Sequence, residues 1–281
     1  MDGLASATSD RENPGSDIAV AMIASAGLQD FVLNTVGSML ACGVRPEQMF
    51  LFYSDSAAGE YSALAEYLPQ GNLVPIHATL DPPLVDAEET YSNYGTDYFN
   101  RFTSIKLLAV RWLLARGVRQ VVYTDLDIVW IRNPLGYLKR IAKRRDLAAQ
   151  NEAPDLWPPT LCAGFMSFRN TPGVEQLIST LIGLHVEAIA AGRNVHDQHI
   201  INEYLQEDAK RHRAVWLLPT AQFPNGLFAS MFATPDCLET YPLTILRPMI
   251  FHASWCVGLS AKQAMLERAG LWRPGGWAKP G

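Results

Sequence analysis

The chain has 281 residues, of which 48% are hydrophobic and 18% are charged, and its formal net charge is −5. This composition is typical of a globular protein and argues against a mainly disordered chain. The negative charge argues against non-specific nucleic-acid binding, which depends on clustered cations. The sequence has no apolar stretch of about 18 residues, so we expect no membrane span. We interpret the basic run at 139–145 as the solvated face or end of a helix, with a membrane or anion patch as the alternative.

We expect three segments: a disordered leader at residues 1–15, a single domain at residues 16–265, and a C-terminal loop or tail at residues 266–281. The leader is small and polar and lacks the pattern of a signal peptide. The four cysteines include no closely spaced pair, which argues against a structural zinc site. Their disulfide state stays open.

Strands and helices alternate along the first half of the chain. Continuous apolar runs predict buried strands, and apolar residues at helical spacing predict helices. In chain order we expect a strand at 18–23, a helix at 30–42, a strand at 49–53, a short helix at 61–68, an edge strand at 73–76, a loop at 81–97, an amphipathic helix at 102–115 and a strand at 120–124. This alternation predicts an α/β fold with an open, mostly parallel sheet flanked by helices.

The second half of the chain is less regular. We expect a strand at 161–169, helices at 174–190 and 197–206, and strands at 214–218 and 250–254. The sequence shows no internal repeat and no evident linker, which favours one domain.

Two aspartates follow the predicted strand at 120–124. Residues i and i+2 of an extended chain point to the same side, so Asp125 and Asp127 are expected to present their carboxylates together. Ligands of open α/β sheets bind beyond the carboxyl ends of the strands, where this pair falls. Neighbouring carboxylates repel each other unless a cation lies between them, and oxygen ligands suit Mg²⁺ or Mn²⁺. The pair therefore predicts a divalent-metal site, with a structural turn as the alternative.

The segment VVYTDLDIVWIRNP at 121–134 resembles the metal-binding core of GT-A glycosyltransferases, and it is most similar to the nucleotide-diphospho-sugar transferases of glycosyltransferase family 77. Four further segments agree with this family in order: CAGFMSFRNTP at 162–172, DQHIIN at 197–202, FPNG at 223–226 and HASWCVGLSAK at 252–262. The resemblance implies a GT-A-like fold, with a Rossmann-like nucleotide-binding half and an acceptor side built by the second half.

The resemblance also implies a donor site that holds Mn²⁺, or Mg²⁺ in its place, on a nucleotide diphosphate. Asp125, Asp127 and His252 match the family's metal ligands. A metal that bridges the diphosphate oxygens would stabilise the charge of the leaving group. The other positions that match donor-binding residues are Ser25, Ala26 and Gly27 at the base and ribose, Lys106 at the sugar or pyrophosphate, Gly164 beside the donor, and Gly258 and Lys262 at the diphosphate.

By the same resemblance, Asp197 holds the hydroxyls of the donor sugar and Gln198 lies near its anomeric carbon, although an ordinary helix N-cap would also explain this pair. With Asp125, Asp127 and Lys106 they make up the expected catalytic set. The family implies retention of anomeric configuration. Because an amide oxygen is a poor nucleophile, we favour front-face substitution, in which the leaving phosphate takes the acceptor proton.

The resemblance implies two partners: a nucleotide-sugar donor, UDP-linked, and a hydroxyl acceptor on a glycan, a glycoprotein or a small molecule. Galactose, xylose and arabinose are all compatible as donor sugars. Arg101 is a weaker candidate for a donor contact. Four aromatic side chains could stack on an acceptor sugar, although we expect each to pack in the core. They are Trp157, Phe223, Phe228 and Trp255.

Two other functions fit parts of the pattern. A haloacid dehalogenase-like phosphatase would use Asp125 as nucleophile and Asp127 as general acid, but such enzymes usually carry a downstream Gly-Asp dipeptide, which this sequence lacks. A sugar-nucleotide-binding module without turnover would share the donor site. The compartment stays open: cytoplasmic if this is the full natural chain, and the Golgi lumen if an anchor was removed.

Overall fold

The computed structural model describes residues 17–80, 91–153, 159–227 and 248–277. The predicted leader and most of the predicted loop at 81–97 therefore lie outside the described residues. In chain order the elements are β1 (Ile18–Ala24), α1 (Gln29–Ala41), β2 (Met49–Tyr53), α2 (Ala58–Tyr61), β3 (Leu73–Pro75), α3 (Ile76–Leu80), α4 (Asp97–Phe102), α5 (Ile105–Ala115), β4 (Gln120–Thr124), β5 (Ile128–Trp130), α6 (Leu135–Ala142), β6 (Leu147–Asn151), β7 (Leu161–Arg169), α7 (Pro172–Ala190), α8 (Asp197–Gln206), α9 (Ala209–Ala214), β8 (Val215–Leu218), β9 (Ile250–His252) and α10 (Leu259–Arg268).

Seven strands form one sheet in the order β3-β2-β1-β4-β7-β6-β8. The pairs β1–β2, β1–β4, β2–β3 and β6–β8 are parallel, whereas β7 runs antiparallel to both β4 and β6. The prediction of an α/β fold with a mostly parallel sheet is therefore confirmed. β3 lies at an edge, as expected from Pro75, which cannot donate a hydrogen bond to a neighbouring strand.

The sheet is buried on both faces, which explains its continuous apolar strands. Along β1, Val20 and Met22 pack on one face together with α1. Ala19 and Ala21 pack on the other face together with α5. The carboxyl ends of β1 and β4 thus lie side by side on a rigid, fully covered sheet.

Some elements differ from the prediction. The helix expected at 102–115 is divided at Thr103 and Ser104 into α4 and α5, and α5 is buried on most sides rather than amphipathic. The short helix expected at 61–68 is replaced by α2 and a 3₁₀ segment at Ser62–Glu66. Strands β5 and β6 were not predicted. β5 pairs with β9 in a separate two-stranded sheet, and β6 joins β7 to β8.

The C-terminal residues up to 277 dock on α1. Helix α10 continues to Arg268, so the predicted start of the tail at residue 266 falls inside it. The ring of Trp272 lies 4.7 Å from that of Phe31, and the indole N–H of Trp277 donates to Asn34 Oδ1 at 2.9 Å. Within the described ranges, no helix is both long and apolar enough to cross a membrane.

Candidate active site

A cavity of about 470 Å³ opens at the carboxyl ends of β1 and β4. Its wall is built by the residues after these strands, by β7, by the start of α8 and by the segment between β9 and α10. A cavity of this size, at the carboxyl edge of an α/β sheet, is the expected place for a small-molecule ligand.

Three potential metal ligands meet in this cavity. One ligand atom from each of Asp125, Asp127 and His252 lies within 4.8 Å of the others. The fold brings them together because Ile128 is paired with His252 in the β5–β9 register, and because Ala253 N–H donates to Asp127 O at 2.9 Å. The segment between the two aspartates is a turn and not the extended chain that we expected. Both carboxylates nevertheless reach the same cluster.

The orientation of His252 is fixed from behind. Gln150 is fully buried, and its Nε2 donates to the carbonyl oxygens of Phe223 and Pro224 at 2.9 and 3.1 Å. Its Oε1 therefore faces His252 Nδ1, at 2.8 Å, and accepts a hydrogen bond from the N–H at that position. This contact directs Nε2 of His252 toward the two aspartates, which is the usual arrangement behind a metal-binding histidine.

Gly164 leaves the space between the ligands open. A Cβ at this position would lie 2.4 Å from His252 Cε1 and 2.9 Å from Asp125 Oδ2. Two carboxylates and one imidazole are ligands that suit a divalent ion such as Mn²⁺ or Mg²⁺. The residues present therefore fit a metal site in both chemistry and space.

Lys262 lies beside this cluster, at the start of α10. Its ammonium donates to Asp127 Oδ2 at 2.5 Å, and His252 Nε2 lies 3.2 Å from Asp127 Oδ1. Burial alone would raise the pKa of Asp127, but Lys262 and His252 outweigh burial and hold this pKa well below its usual value. Gly258, with φ +91°, precedes α10, and this left-handed conformation is unfavourable for any other residue.

A second buried ion pair lies on the opposite side of Asp125. Lys106 Nζ is 3.1 Å from Asp125 Oδ1 and 3.4 Å from Asp197 Oδ2. Burial by itself would lower the pKa of Lys106, but the two carboxylates raise it above the usual value. Burial would likewise raise the pKa of Asp197, yet Lys106 and His196 lower it to about 2. Lys106 therefore carries its charge inside the protein and links the cluster to α8.

Gln198 and its neighbours at the start of α8 are fixed by hydrogen bonds. Gln198 Oε1 accepts a hydrogen bond from Ala163 N–H at 3.0 Å, and Asp197 N–H donates to Thr103 Oγ1 at 3.1 Å. The break between α4 and α5 thus places a hydroxyl where it fixes the start of α8. His196 Nε2 lies 2.9 Å from the hydroxyl of Tyr94 at the mouth of the cavity.

Some of the remaining residues predicted to contact the donor line the cavity, and others do not. Ser25 lines the cavity and its carbonyl accepts from the Tyr61 hydroxyl at 2.6 Å, whereas Ala26, Gly27 and Arg101 do not line it. Predicted residues that do line it are Ser25, Lys106, Asp125, Asp127, Gly164, Asp197, Gln198, His252, Gly258 and Lys262.

The aromatic residues considered for stacking on an acceptor sugar also differ in whether they line the cavity. Phe223 is buried in the core, as expected. The expectation of core packing is wrong for Trp255, which lines the cavity and is half exposed. Trp157 and Phe228 lie outside the described residues.

Three residues of the site were not predicted: Glu152, Tyr94 and Gln150. Glu152 and Tyr94 line the cavity, and Gln150 supports His252. The basic run at 139–145 is exposed and lies at the end of α6 and just after it, as expected for the solvated end of a helix.

These features define a class of protein. An α/β sheet carries, at its carboxyl edge, a carboxylate–histidine cluster between the buried Lys106 and the partly buried Lys262, which suits an anionic ligand held with a divalent ion. The family model for nucleotide-diphospho-sugar transferases matches residues 70–266, and the chain belongs to this family. The predicted resemblance to GT-A transferases of family 77 is thereby confirmed. The family match gives no support to the phosphatase alternative.

Individual proteins agree with this assignment. The chain is 27% identical over 217 residues to UDP-D-xylose:L-fucose alpha-1,3-D-xylosyltransferase 3 of Arabidopsis thaliana, covering 70% of this chain and 54% of the relative. It is 25% identical to UDP-galactose:fucoside alpha-3-galactosyltransferase of Dictyostelium discoideum, covering 66% of this chain and 30% of the relative. It thus spans about half, or less, of the curated relatives that it matches. The apo crystal structure of mouse xyloside xylosyltransferase 1 has the same fold, with a TM-score of 0.56, 13% identity, and coverage of 85% of this chain and 98% of that one.

Proposed function

We propose that the chain is a glycosyltransferase that moves a sugar from a UDP-sugar donor to a hydroxyl group of a saccharide acceptor. Its family membership supports a nucleotide-diphospho-sugar donor. Relatives are named for UDP-xylose and UDP-galactose as donors, and for fucose or a fucoside as acceptor. We therefore propose these two donors, with a fucoside as the first acceptor to test.

The observation that carries the proposal is the convergence of Asp125, Asp127 and His252 inside the cavity. We propose that these three residues hold Mn²⁺, or Mg²⁺ in its place. When bound, the ion would supply positive charge to the diphosphate as it leaves.

The charge of the cavity supports a need for such an ion. Its described lining includes four carboxylates and two lysines. Both lysines are already paired, Lys106 with Asp125 and Asp197, and Lys262 with Asp127. An anionic diphosphate that entered this lining alone would add repulsion. In the proposed complex Lys262 also contacts the diphosphate as a point charge.

We propose that the reaction retains the anomeric configuration by front-face substitution. A double displacement needs a free carboxylate or a good nucleophile beside the anomeric carbon. At the two positions that match the donor sugar, Asp197 is engaged by Lys106 and His196, and Gln198 Oε1 already accepts a backbone N–H. These contacts support roles for both residues in positioning the donor sugar.

The test is the release of UDP from UDP-xylose and UDP-galactose, with and without methyl α-L-fucoside, in Mn²⁺ and after chelation. We expect acceptor-stimulated, metal-dependent release, and an NMR spectrum of the product that shows retention. Asp127→Asn should abolish release, whereas Asp146→Asn, which alters an exposed carboxylate paired with Arg169, should not. Full activity of Asp127→Asn would refute the metal site, and an inverted product would refute front-face substitution.

A further inference from the structure

Large apolar side chains are exposed in an unusual place on this protein. Among the described residues, those exposed are Tyr94 (55%), Trp216 (41%), Trp255 (52%) and Val257 (62%). All of them except Trp216 line the cavity. Single exposed apolar residues are common, but a group of them at the rim of a cavity indicates a ligand-binding surface.

Trp255 also has an unusual backbone. Its φ is +60°, and no other described residue except glycine has a positive φ. A left-handed conformation is unfavourable for a bulky residue, and glycine would adopt it freely. Because the side chain is half exposed, packing does not explain why tryptophan stands here. Strain of this kind is often found where a side chain is held for function.

The position of Trp255 relates it to the donor site. It follows His252 of the metal cluster by three residues, and it precedes Gly258 and Lys262 in the same segment. Its indole therefore stands on the loop that joins the metal cluster to α10, at the solvent side of the cavity. This is where a second substrate would enter after the donor had filled the interior.

Glu152 provides a polar group within the same cavity. Its backbone is fixed, because its N–H donates to Thr160 O at 2.9 Å and its carbonyl accepts from Asn225 Nδ2 at 2.8 Å. Its Oε2 is buried, and among the described residues it has no backbone, hydroxyl or charged donor; the weakly donating thiol of Cys162 lies beside this carboxylate. A buried carboxylate oxygen without a strong donor is costly, and a sugar hydroxyl would satisfy it.

We propose that Trp255 and Glu152 are two parts of an acceptor subsite for a neutral saccharide. The indole, with Val257 beside it in sequence, packs against the C–H face of the sugar ring, and Glu152 accepts a hydrogen bond from a hydroxyl. An acceptor that carries a carboxylate is disfavoured, because Glu152 lies in a cavity that already has three aspartates. This inference rests on the proposed glycosyltransferase function.

The experiment measures two affinities separately. UDP is titrated with Mn²⁺ by calorimetry, and methyl α-L-fucoside, methyl β-D-galactoside and methyl β-D-glucuronide are then titrated into the UDP–Mn²⁺ complex by NMR. In the unmodified protein we expect one or both neutral glycosides to bind and the glucuronide to bind weakest. Trp255→Ala should weaken binding of the neutral glycoside by about tenfold or more and leave UDP affinity unchanged. Trp216→Ala, which removes an exposed tryptophan on β8 that does not line the cavity, is the matched control and should change neither affinity.

Two further variants separate binding from structure. Trp255→Gly should weaken the glycoside as strongly as Trp255→Ala and leave the melting temperature equal or higher, because glycine adopts φ +60° without strain. Glu152→Gln keeps a hydrogen-bonding oxygen and removes the charge, so it should improve glucuronide binding relative to the neutral glycoside.

The outcomes are distinct. The subsite is refuted if Trp255→Ala weakens UDP and not the glycoside, since the indole would then hold the nucleotide. It is also refuted if UDP–Mn²⁺ binds but no neutral glycoside does, or if Trp255→Gly lowers the melting temperature. Failure of UDP–Mn²⁺ to bind the unmodified protein at all would instead refute the proposed function.

Discussion

Replacing Gly164 with alanine is the most direct perturbation of the proposed metal site formed by Asp125, Asp127 and His252. The added Cβ would lie 2.4 Å from His252 Cε1 and 2.9 Å from Asp125 Oδ2, both closer than real Cβ atoms approach their neighbours. Neither side chain can move freely. His252 is held by Gln150 at 2.8 Å, and Asp125 Oδ1 accepts the Tyr123 hydroxyl at 2.6 Å. The methyl group must therefore displace at least one of the three proposed ligands.

Two magnitudes follow from this clash. Overpacking a rigid interior by one methyl group costs about 1–3 kcal/mol of folding stability. Disturbing the support of a metal ligand lowers metal affinity by about 10–100-fold. The second effect should dominate function, because a protein of this size survives the first.

The assay is titration of Mn²⁺ in the presence of UDP, followed by electron paramagnetic resonance, together with thermal unfolding. Gly183→Ala is the control, since Gly183 lies on α7 with no atom within 4 Å of the added Cβ. It should gain about 0.5–1 kcal/mol from helix propensity and bind Mn²⁺ normally. If Gly164→Ala binds Mn²⁺ as tightly as the unmodified protein, the three proposed ligands do not coordinate the ion beside Gly164, and the metal site is assigned wrongly.

Three further predictions concern the charges and the C-terminal segment. Lys106→Met should lower the free energy of unfolding by about 3–5 kcal/mol in urea, because it leaves buried carboxylates without their cation; an unchanged midpoint would contradict the ion pair. The pKa of Asp197 falls from 3.8 to about 2 on folding, so its contribution of about 2 kcal/mol is present above pH 4 and is lost as the pH falls from 4 to 2. The free energy of unfolding of Asp197→Asn should therefore fall less between pH 4 and pH 2 than that of the unmodified protein. An equal fall in both proteins would refute the lowered pKa of Asp197. Asn34→Ala removes hydrogen bonds to Leu271, Arg273 and Trp277. It should lower the free energy of unfolding by about 2–4 kcal/mol and speed amide hydrogen exchange in the residues after Arg268. Exchange at the rate of the unmodified protein would show that other contacts hold this segment.

The strands that lead to the cavity could be predicted because their sequences are compatible with little else than a buried strand. β1, β2 and β4 are short, almost wholly apolar and bounded by turns, which is typical of strands buried on both faces. The same rule failed for β5, which has three residues, and for β6, whose sequence LAAQN has weak strand propensity. These strands exist because partners far away in the chain pair with them.

Some residues of the site were likewise predictable from the sequence, and others were not. Asp125 and Asp127 were predictable from position, since they follow a buried strand, and the resemblance supplied His252, Lys106 and Lys262. Trp255 shows the limit of this approach, because no spacing rule reports that its backbone turns left-handed and brings the indole to the cavity.

Gln150 explains why one part of the fold looked irregular in the sequence. In a buried strand its amide is unfavourable by propensity and by polarity. In the structure each of its polar atoms has a defined partner, and its Oε1 fixes the tautomer of His252, which lies 102 residues away in sequence. An apolar residue at 150 would leave Nδ1 of His252 without this acceptor, with the Cys162 thiol 3.7 Å away as a weak substitute. Gln150 thus contributes both to the weak strand signal of β6 and to the order of the proposed metal site, and such local departures from sequence rules are expected where a site is built.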